Sequence, residues 1–242
     1  MAHGSKKRRR ILHTADSHLV KLGDKPCQSL EAVIGLAIKT KVDLVIIAGD
    51  LFDYNNVDDD LVSFAIEQLK RLPVDVLILP GNHDCLVEGS VYCRDERWKH
   101  ISNVRIFTAE EGETLDLPDL GISVWGKPIA SYDGDLQPMV GIPRRQCNGH
   151  WHIAMAHGYY VGDKPPVFPS LHITQEEVVT SGWDYIALGH LPAFRCVCDE
   201  PVAYYCGSPS SISATVAIVD FDEETGVQVT RYSVAEEQAE KG

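Results

Sequence analysis

Apolar residues in the first half of the chain alternate between two periods. Arg10–Ala15, Asp43–Ala48 and Val74–Leu79 are short apolar runs of strand length, each giving way to polar residues or glycine. Between them, Leu30, Val33, Ile34, Ala37 and Ile38 recur at helical spacing over 29–40, behind a serine able to cap the first turn. Leu61, Ala65, Leu69 and Leu72, with Phe64 beside them, do the same over 58–72. Two successive strand–helix–strand units predict parallel strands with right-handed crossovers.

The second half reads differently. Its apolar stretches, at 104–107, 120–125, 152–157, 184–188, 194–198, 202–206, 215–221 and 227–232, are short and broken by Gly, Pro and Asp. Helical spacing is sparse there and centres on 174–180. A second sheet, mixed or antiparallel, is therefore expected, giving an α/β protein with two sheets face to face and helices outside. One domain is expected over 10–235, between a basic tail at 1–9 and a short tail at 236–242. The stretches 126–149 and 158–173 exceed ordinary loop length and read as functional lids or binding loops, or else as disordered, with oligomer contacts a further use for 126–149.

Composition narrows the setting. A hydrophobic fraction of 44% and a charged fraction of 24% are ordinary for a globular protein. No apolar run approaches the ~20 residues that cross a bilayer. The basic run Lys6-Lys7-Arg8-Arg9-Arg10 is followed by His13 and Asp16 rather than by a signal core. Seven cysteines at irregular spacings suit reduced thiols in a cytoplasmic protein, and Cys196-x-Cys198 has no second pair to complete a zinc site. The net charge of −13 opposes broad affinity for phosphate backbones. It leaves room for a phosphate-bearing substrate, because bound divalent ions would reverse the local field.

The chemistry lies where the strands stop. The first ends in Asp16-Ser17-His18, the second in Gly49-Asp50-Leu51-Phe52-Asp53, and the third in Gly81-Asn82-His83-Asp84. The strand at 152–156 ends in His157-Gly158 and that at 184–188 in Gly189-His190. Open α/β sheets place ligands at this carboxyl edge. Alternation along an extended chain turns Asp16 and His18 to one side. Any one of these motifs is a common surface feature or turn, but the bland reading does not explain why every one of these apolar strands ends in metal-type ligands. Asp, His and Asn suit divalent ions such as Mn²⁺, Fe²⁺ or Zn²⁺. A carboxylate such as Asp50 can hold two ions at once, and a pair ~3.5–4 Å apart clamps both oxygens of a phosphoryl displacement.

In this order and at these separations, the motifs resemble the calcineurin-like metallophosphoesterase family over residues 10–211. His13–Leu19, Ala48–Asp53 and Tyr204–Pro209 are most similar to SbcD-type repair nucleases and their relatives. The resemblance implies a four-layer αββα sandwich. It implies a first ion on Asp16, His18 and Asp50, and a second on Asp50, Asn82, His157 and His190. It further implies that His83 sits beside the scissile phosphate, with Asp53 orienting its ring; Asp84 is the other candidate for that role, or a brace for the turn. One position departs from the pattern: Gly189-His190-Leu191-Pro192 has proline where the family has a second histidine. Water, His172 or Cys196 could stand in, or the first ion could be missing; water, with a weaker first site, is the preferred expectation.

The expected function is metal-dependent phosphoester hydrolysis, with a phosphodiester the preferred substrate. A nuclease is the alternative, opposed by the net charge and by a chain ending at 242 without the added DNA-binding region of such enzymes, though Arg94, Arg97 and Lys99, and Arg144 with Arg145, could line a local groove. A degenerate binding scaffold is a further alternative, resting on Pro192 alone. Tyr159 and Tyr160 could stack on a base or aryl group, or pack within a proline-rich loop. Oligomeric state is not legible.

Overall fold

The structure is a computed structural model that describes residues 6–133, 136–163 and 171–235. In chain order β1 (Arg9–Thr14), α1 (Lys25–Thr40), β2 (Leu44–Ala48), α2 (Asp59–Lys70) and β3 (Asp75–Leu79) form the expected crossover units, and all three strands are parallel. α1 starts a turn before the apolar stripe because Pro26, with its fixed φ and missing amide, suits a first turn. α3 (Val91–Arg94) and a 3₁₀ turn, Glu96–His100, lead to β4 (Val104–Ile106), which extends the same sheet.

The second half supplies β5 (Glu113–Leu117), β6 (Ile122–Gly126), β7 (Trp151–His157), β8 (Tyr159–Gly162), β9 (His172–Thr174), α4 (Gln175–Ser181), β10 (Tyr185–Gly189), β11 (Phe194–Asp199), β12 (Val202–Cys206), β13 (Thr215–Asp222) and β14 (Gly226–Ser233). The second sheet runs β11-β12-β10-β7-β6-β5, with a parallel centre and antiparallel edges. Two expectations need correction. β4, β13 and β14 belong to the first sheet, ordered β14-β13-β1-β2-β3-β4, because β13 pairs antiparallel with β1. The stretch 158–173 is not wholly irregular: β8 and β9 pair in parallel within it, while 164–170 lie outside the described residues. β5 went unread because its half-exposed edge alternates polar with apolar and offers no apolar run.

Alternation along the first sheet divides its side chains between two cores. Leu12, Val45, Ile47, Val76 and Ile78 pack under Leu30, Val33, Leu61 and Leu69 of α1 and α2. Ile11, Leu44, Ile46, Leu77 and Leu79 meet Val124, Ile153, Met155 and Tyr185 of the second sheet. Beyond that sheet, Ala154, Ala156, Ile186 and Leu188 pack with Val178 of α4. These are the layers of an αββα sandwich. Each fully buried Val, Leu or Ile contributes about 1.5–3 kcal/mol of transfer free energy, so registers are pinned where the strands are most apolar.

Of the expected tails, 1–5 and 236–242 lie outside the described residues. Lys6 is packed, its Nζ 3.3 Å from the Asp184 carboxylate and 4.0 Å from the centre of the Trp151 ring. Arg9 opens β1 and donates from Nε to the Leu120 carbonyl at 2.7 Å.

Candidate metal centre

Strands β1, β2 and β3 of one sheet and β7 and β10 of the other release their chains at a common edge. The β1–β2 ladder continues past the strands: the amides of Asp16, His18 and Leu19 donate to the carbonyls of Gly49, Asp50 and Leu51 at 3.0, 3.0 and 2.9 Å. To turn side chains inward while keeping these bonds, the backbone enters the left-handed region at Asp16 (φ 54°), His18 (φ 49°), Asp50 (φ 54°) and His190 (φ 95°). Each such residue costs about 1–2 kcal/mol, and strain gathered at one edge is a mark of a functional site.

The side chains converge. His157 Nε2 lies 3.1 Å from Asp50 Oδ2 and 2.9 Å from Asn82 Oδ1, which in turn is 3.0 Å from His190 Nδ1. His18 Nε2 is 3.9 Å from Asp50 Oδ2. The Asp16 carboxylate accepts the His190 amide on both oxygens, at 3.1 and 3.0 Å. Ligand-type atoms of Asp16, His18 and Asp50 lie within 4.8 Å of one another, as do those of Asp50, His157 and His190; Asp50 is common to both groups. His157 Nδ1 lies 2.9 Å from the Ala48 carbonyl, which can only accept, so Nδ1 carries a proton and Nε2 faces the cluster. The close approach needs a glycine beside it: a Cβ on Gly49, at φ +95°, would fall 2.0 Å from His157 Nδ1.

His18, Asp53 and His83 form a third group within 4.8 Å. Asp53 Oδ1 is 3.0 Å from His18 Nδ1 and 3.4 Å from His83 Nδ1, while the Asp53 main-chain oxygen stands 2.8 Å from His83 Nδ1. The His83 ring is therefore held chiefly by backbone, and the carboxylate is nearer His18. Asp84 is a brace: fully buried, it accepts from the amides of Gly81 and Phe52 at 2.8 and 3.1 Å and from the Tyr92 hydroxyl at 2.6 Å.

Burial sets the electrostatics. It pushes Asp16 up to about 7 and Asp84 up to about 6. Burial acts the same way on Asp50, but the facing His157 more than offsets it and holds that carboxyl well below the usual range. Burial would lower His157, yet the Asp50 charge and hydrogen bond outweigh it and raise the imidazole to about 9. Burial, with the charge of His157, takes His190 down to about 4. Among the described residues no Lys or Arg pairs with Asp16 or Asp50; the counter-charge is a proton on His157. Buried carboxylates facing imidazole nitrogens and an amide oxygen, with only a displaceable proton between them, fit divalent cations.

Other expected residues fall outside this cluster. Pro192 is exposed, and neither His172 nor Cys196 joins a ligand group among the described residues. Tyr160 packs, its amide donating to the Tyr205 hydroxyl at 2.7 Å, whereas Tyr159 is exposed. Four of the five basic residues expected to line a groove are paired: Arg94 faces Asp59, Arg97 faces Asp95, Lys99 faces Glu96 and Arg145 faces Asp184. Sequence reasoning passed over Tyr92, and over Ser208 and Ser210, whose hydroxyls donate to the carbonyls of Asp16 and Ser17 at 2.6 and 2.7 Å. The motif 204–209 was legible as a resemblance, but its contact with a loop so far back in the chain was not.

A two-sheet sandwich with Asp, Asn and His gathered at one carboxyl edge makes a candidate metal centre. The chain belongs to the calcineurin-like phosphoesterase family, whose profile matches residues 9–194. It is 29% identical over 206 residues to the metallophosphoesterase YhaO of Bacillus subtilis, covering 82% of this chain and 48% of that protein. It is 35% identical over 128 residues to the DNA double-strand break repair protein Mre11 of Saccharolobus solfataricus, covering 49% of this chain and 32% of that protein. The chain thus spans less than half the length of these relatives. Among solved structures, TT1561 of Thermus thermophilus superposes with a TM-score of 0.63 at 12% identity, over 94% of this chain and all of that one (100%). A purple acid phosphatase from yellow lupin does so with 0.63 at 10% identity, over 97% of this chain and 53% of that one. These two likenesses concern the fold. No helix among the described residues is long and apolar enough to cross a membrane.

Proposed function

We propose that this chain hydrolyses phosphodiesters with two divalent ions, Mn²⁺ foremost and Fe²⁺ or Zn²⁺ as alternatives. The carrying observation is that Asp50 is common to two groups of converging donors. Asp16, His18 and Asp50 would hold the first ion, and Asp50, Asn82, His157 and His190 the second. Bound there, such ions supply Lewis-acid charge against the phosphoryl oxygens and acidify water. The chain's own part is orientation and proton handling. His157 presents Nε2 because Ala48 takes the Nδ1 proton. His83, half-exposed at the mouth with Nδ1 held by the Asp53 carbonyl, has Nε2 free to donate a proton to the leaving oxygen. Asp53 sets both His18 and His83. With Pro192 in place of a histidine, the first ion would complete its shell with water and bind more weakly. Seven free cysteines support a reducing, cytoplasmic setting.

The test is hydrolysis of a bis-aryl phosphodiester with Mn²⁺, expected in the wild type and lost in Asp50→Ala and His83→Ala. No turnover with any divalent ion would sink the proposal. The likeness to Mre11 favours a second reading, a nuclease, with nucleotides or nucleic acid as partner; activity confined to polynucleotides would select it.

A further inference from the structure

Serines 208 and 210 are separated from Asp16 by most of the chain, yet they bind its loop. The segment 207–214 carries the chain from β12 in the second sheet to β13 in the first. On the way, Ser208 Oγ donates to the Asp16 carbonyl at 2.6 Å and accepts the Ser210 amide at 3.2 Å, and Ser210 Oγ donates to the Ser17 carbonyl at 2.7 Å. The segment is itself fixed, since the Ser208 carbonyl accepts the Thr215 amide at 3.1 Å and the Ser211 hydroxyl at 2.9 Å. Asp16 and His18 have left-handed backbones, so the carbonyls of Asp16 and Ser17 leave the β1–β2 ladder. Among the described residues no backbone amide reaches either one; the two hydroxyls are their partners. Ser208 and Ser17 are buried, and an unpaired carbonyl there carries a desolvation penalty.

We infer that Ser208 and Ser210 are positioning residues that set the affinity of the first metal ion. This rests on the two-ion reading above. Two of the three ligands of that ion, Asp16 and His18, hang from the clamped loop, whereas Asn82, His157 and His190 do not. With Pro192 in the family's histidine position, the first ion has no fourth side chain to hold it when the loop shifts. Removing a hydroxyl should therefore weaken one ion and spare the other.

The experiment is Mn²⁺ titration by calorimetry on the full chain, for wild type, Ser208→Ala, Ser210→Ala and Ser210→Thr. Alongside it runs hydrogen–deuterium exchange of residues 14–20 in chelated protein. Each alanine variant is expected to raise the dissociation constant of the weaker ion about ten- to hundredfold, the range for losing an outer-shell partner. The tighter ion, which meets the loop only through the shared Asp50 and the His190 amide on Asp16, should weaken far less; Ser210→Thr should restore binding, and exchange over 14–20 should accelerate. Equal weakening of both ions, or unchanged affinity and exchange in folded variants, overturns the inference. If Ser208→Ala does not fold, the part-buried Ser210 pair decides. A wild type that binds no Mn²⁺ would remove the metal reading and this inference's metal claim together; wild-type binding with insensitive serine variants would remove the inference alone.

Discussion

Gly49→Ala puts the geometry of the centre to a quantitative test without replacing a proposed ligand. A Cβ at 49 would lie 2.0 Å from His157 Nδ1 and 2.5 Å from Cγ of the same ring, so the imidazole must move. Two effects add. A non-glycine residue at φ +95° costs about 1–2 kcal/mol. Displacing the ring breaks its 2.9 Å bond to the Ala48 carbonyl and leaves that buried oxygen unpaired, about 1–3 kcal/mol more. The sum, about 2–5 kcal/mol, lowers the melting temperature by roughly 4–20 °C at 2–4 °C per kcal/mol for a chain of this size. Gly182→Ala is the control, for its φ is +66° and a Cβ there meets nothing within 4 Å. It should show the backbone cost alone, with Mn²⁺ binding intact. Thermal melts in chelator and Mn²⁺ titrations of both variants separate the two effects. If Gly49→Ala melts with Gly182→Ala, or binds Mn²⁺ like wild type, the reasoning about His157 is wrong.

Metal analysis of purified protein should find one tightly held ion and a second that is sub-stoichiometric or easily chelated; two equally tight ions would contradict the assigned role of Pro192. In chelated protein, His157 is raised from 6.5 to about 9 and Asp16 from 3.8 to about 7. Raised values mean that protonation favours the fold. Asp16's contribution is therefore lost as pH climbs from 3.8 through 7, and that of His157 from 6.5 through 9. Below pH 6.5 the lowered His190 opposes Asp16, so melting temperature should fall chiefly between 6.5 and 9 and flatten there with saturating Mn²⁺; a flat chelated profile over that window counts against the buried Asp50–His157 pair. Asp53→Asn leaves the main-chain hold on His83 but removes the charge beside His18, so it should weaken the first ion about ten- to hundredfold in Mn²⁺ titrations; unchanged Mn²⁺ affinity would show that the carboxylate does not support His18. Tyr92→Phe removes a donor from buried Asp84 and should destabilise by about 1–3 kcal/mol in denaturant melts.

Much of this centre was legible because strand ends are legible. The all-apolar Leu44–Ala48 run stops at Gly49-Asp50, and apolar periodicity alone puts Asp50 at an edge. Position in space was less so. That the Asp53 main chain, rather than its carboxylate, holds His83 depends on how the loop bends, which residue identity does not encode. The serine clamp was hidden because it pairs distant segments through a left-handed loop. β13 and β14 were assigned to the wrong sheet because alternation reveals which face is buried, not which neighbour buries it.

The proposed ligands are drawn from both layers of the sandwich: Asp16, His18, Asp50 and Asn82 from one, His157 and His190 from the other. Cations bound there would act as rivets across a seam closed mainly by apolar packing. Metal affinity is then also a gauge of how the two sheets sit against each other. A substitution at Met155 or Leu77, buried in that seam and not itself a proposed ligand, would register as altered metal binding before it registered as unfolding.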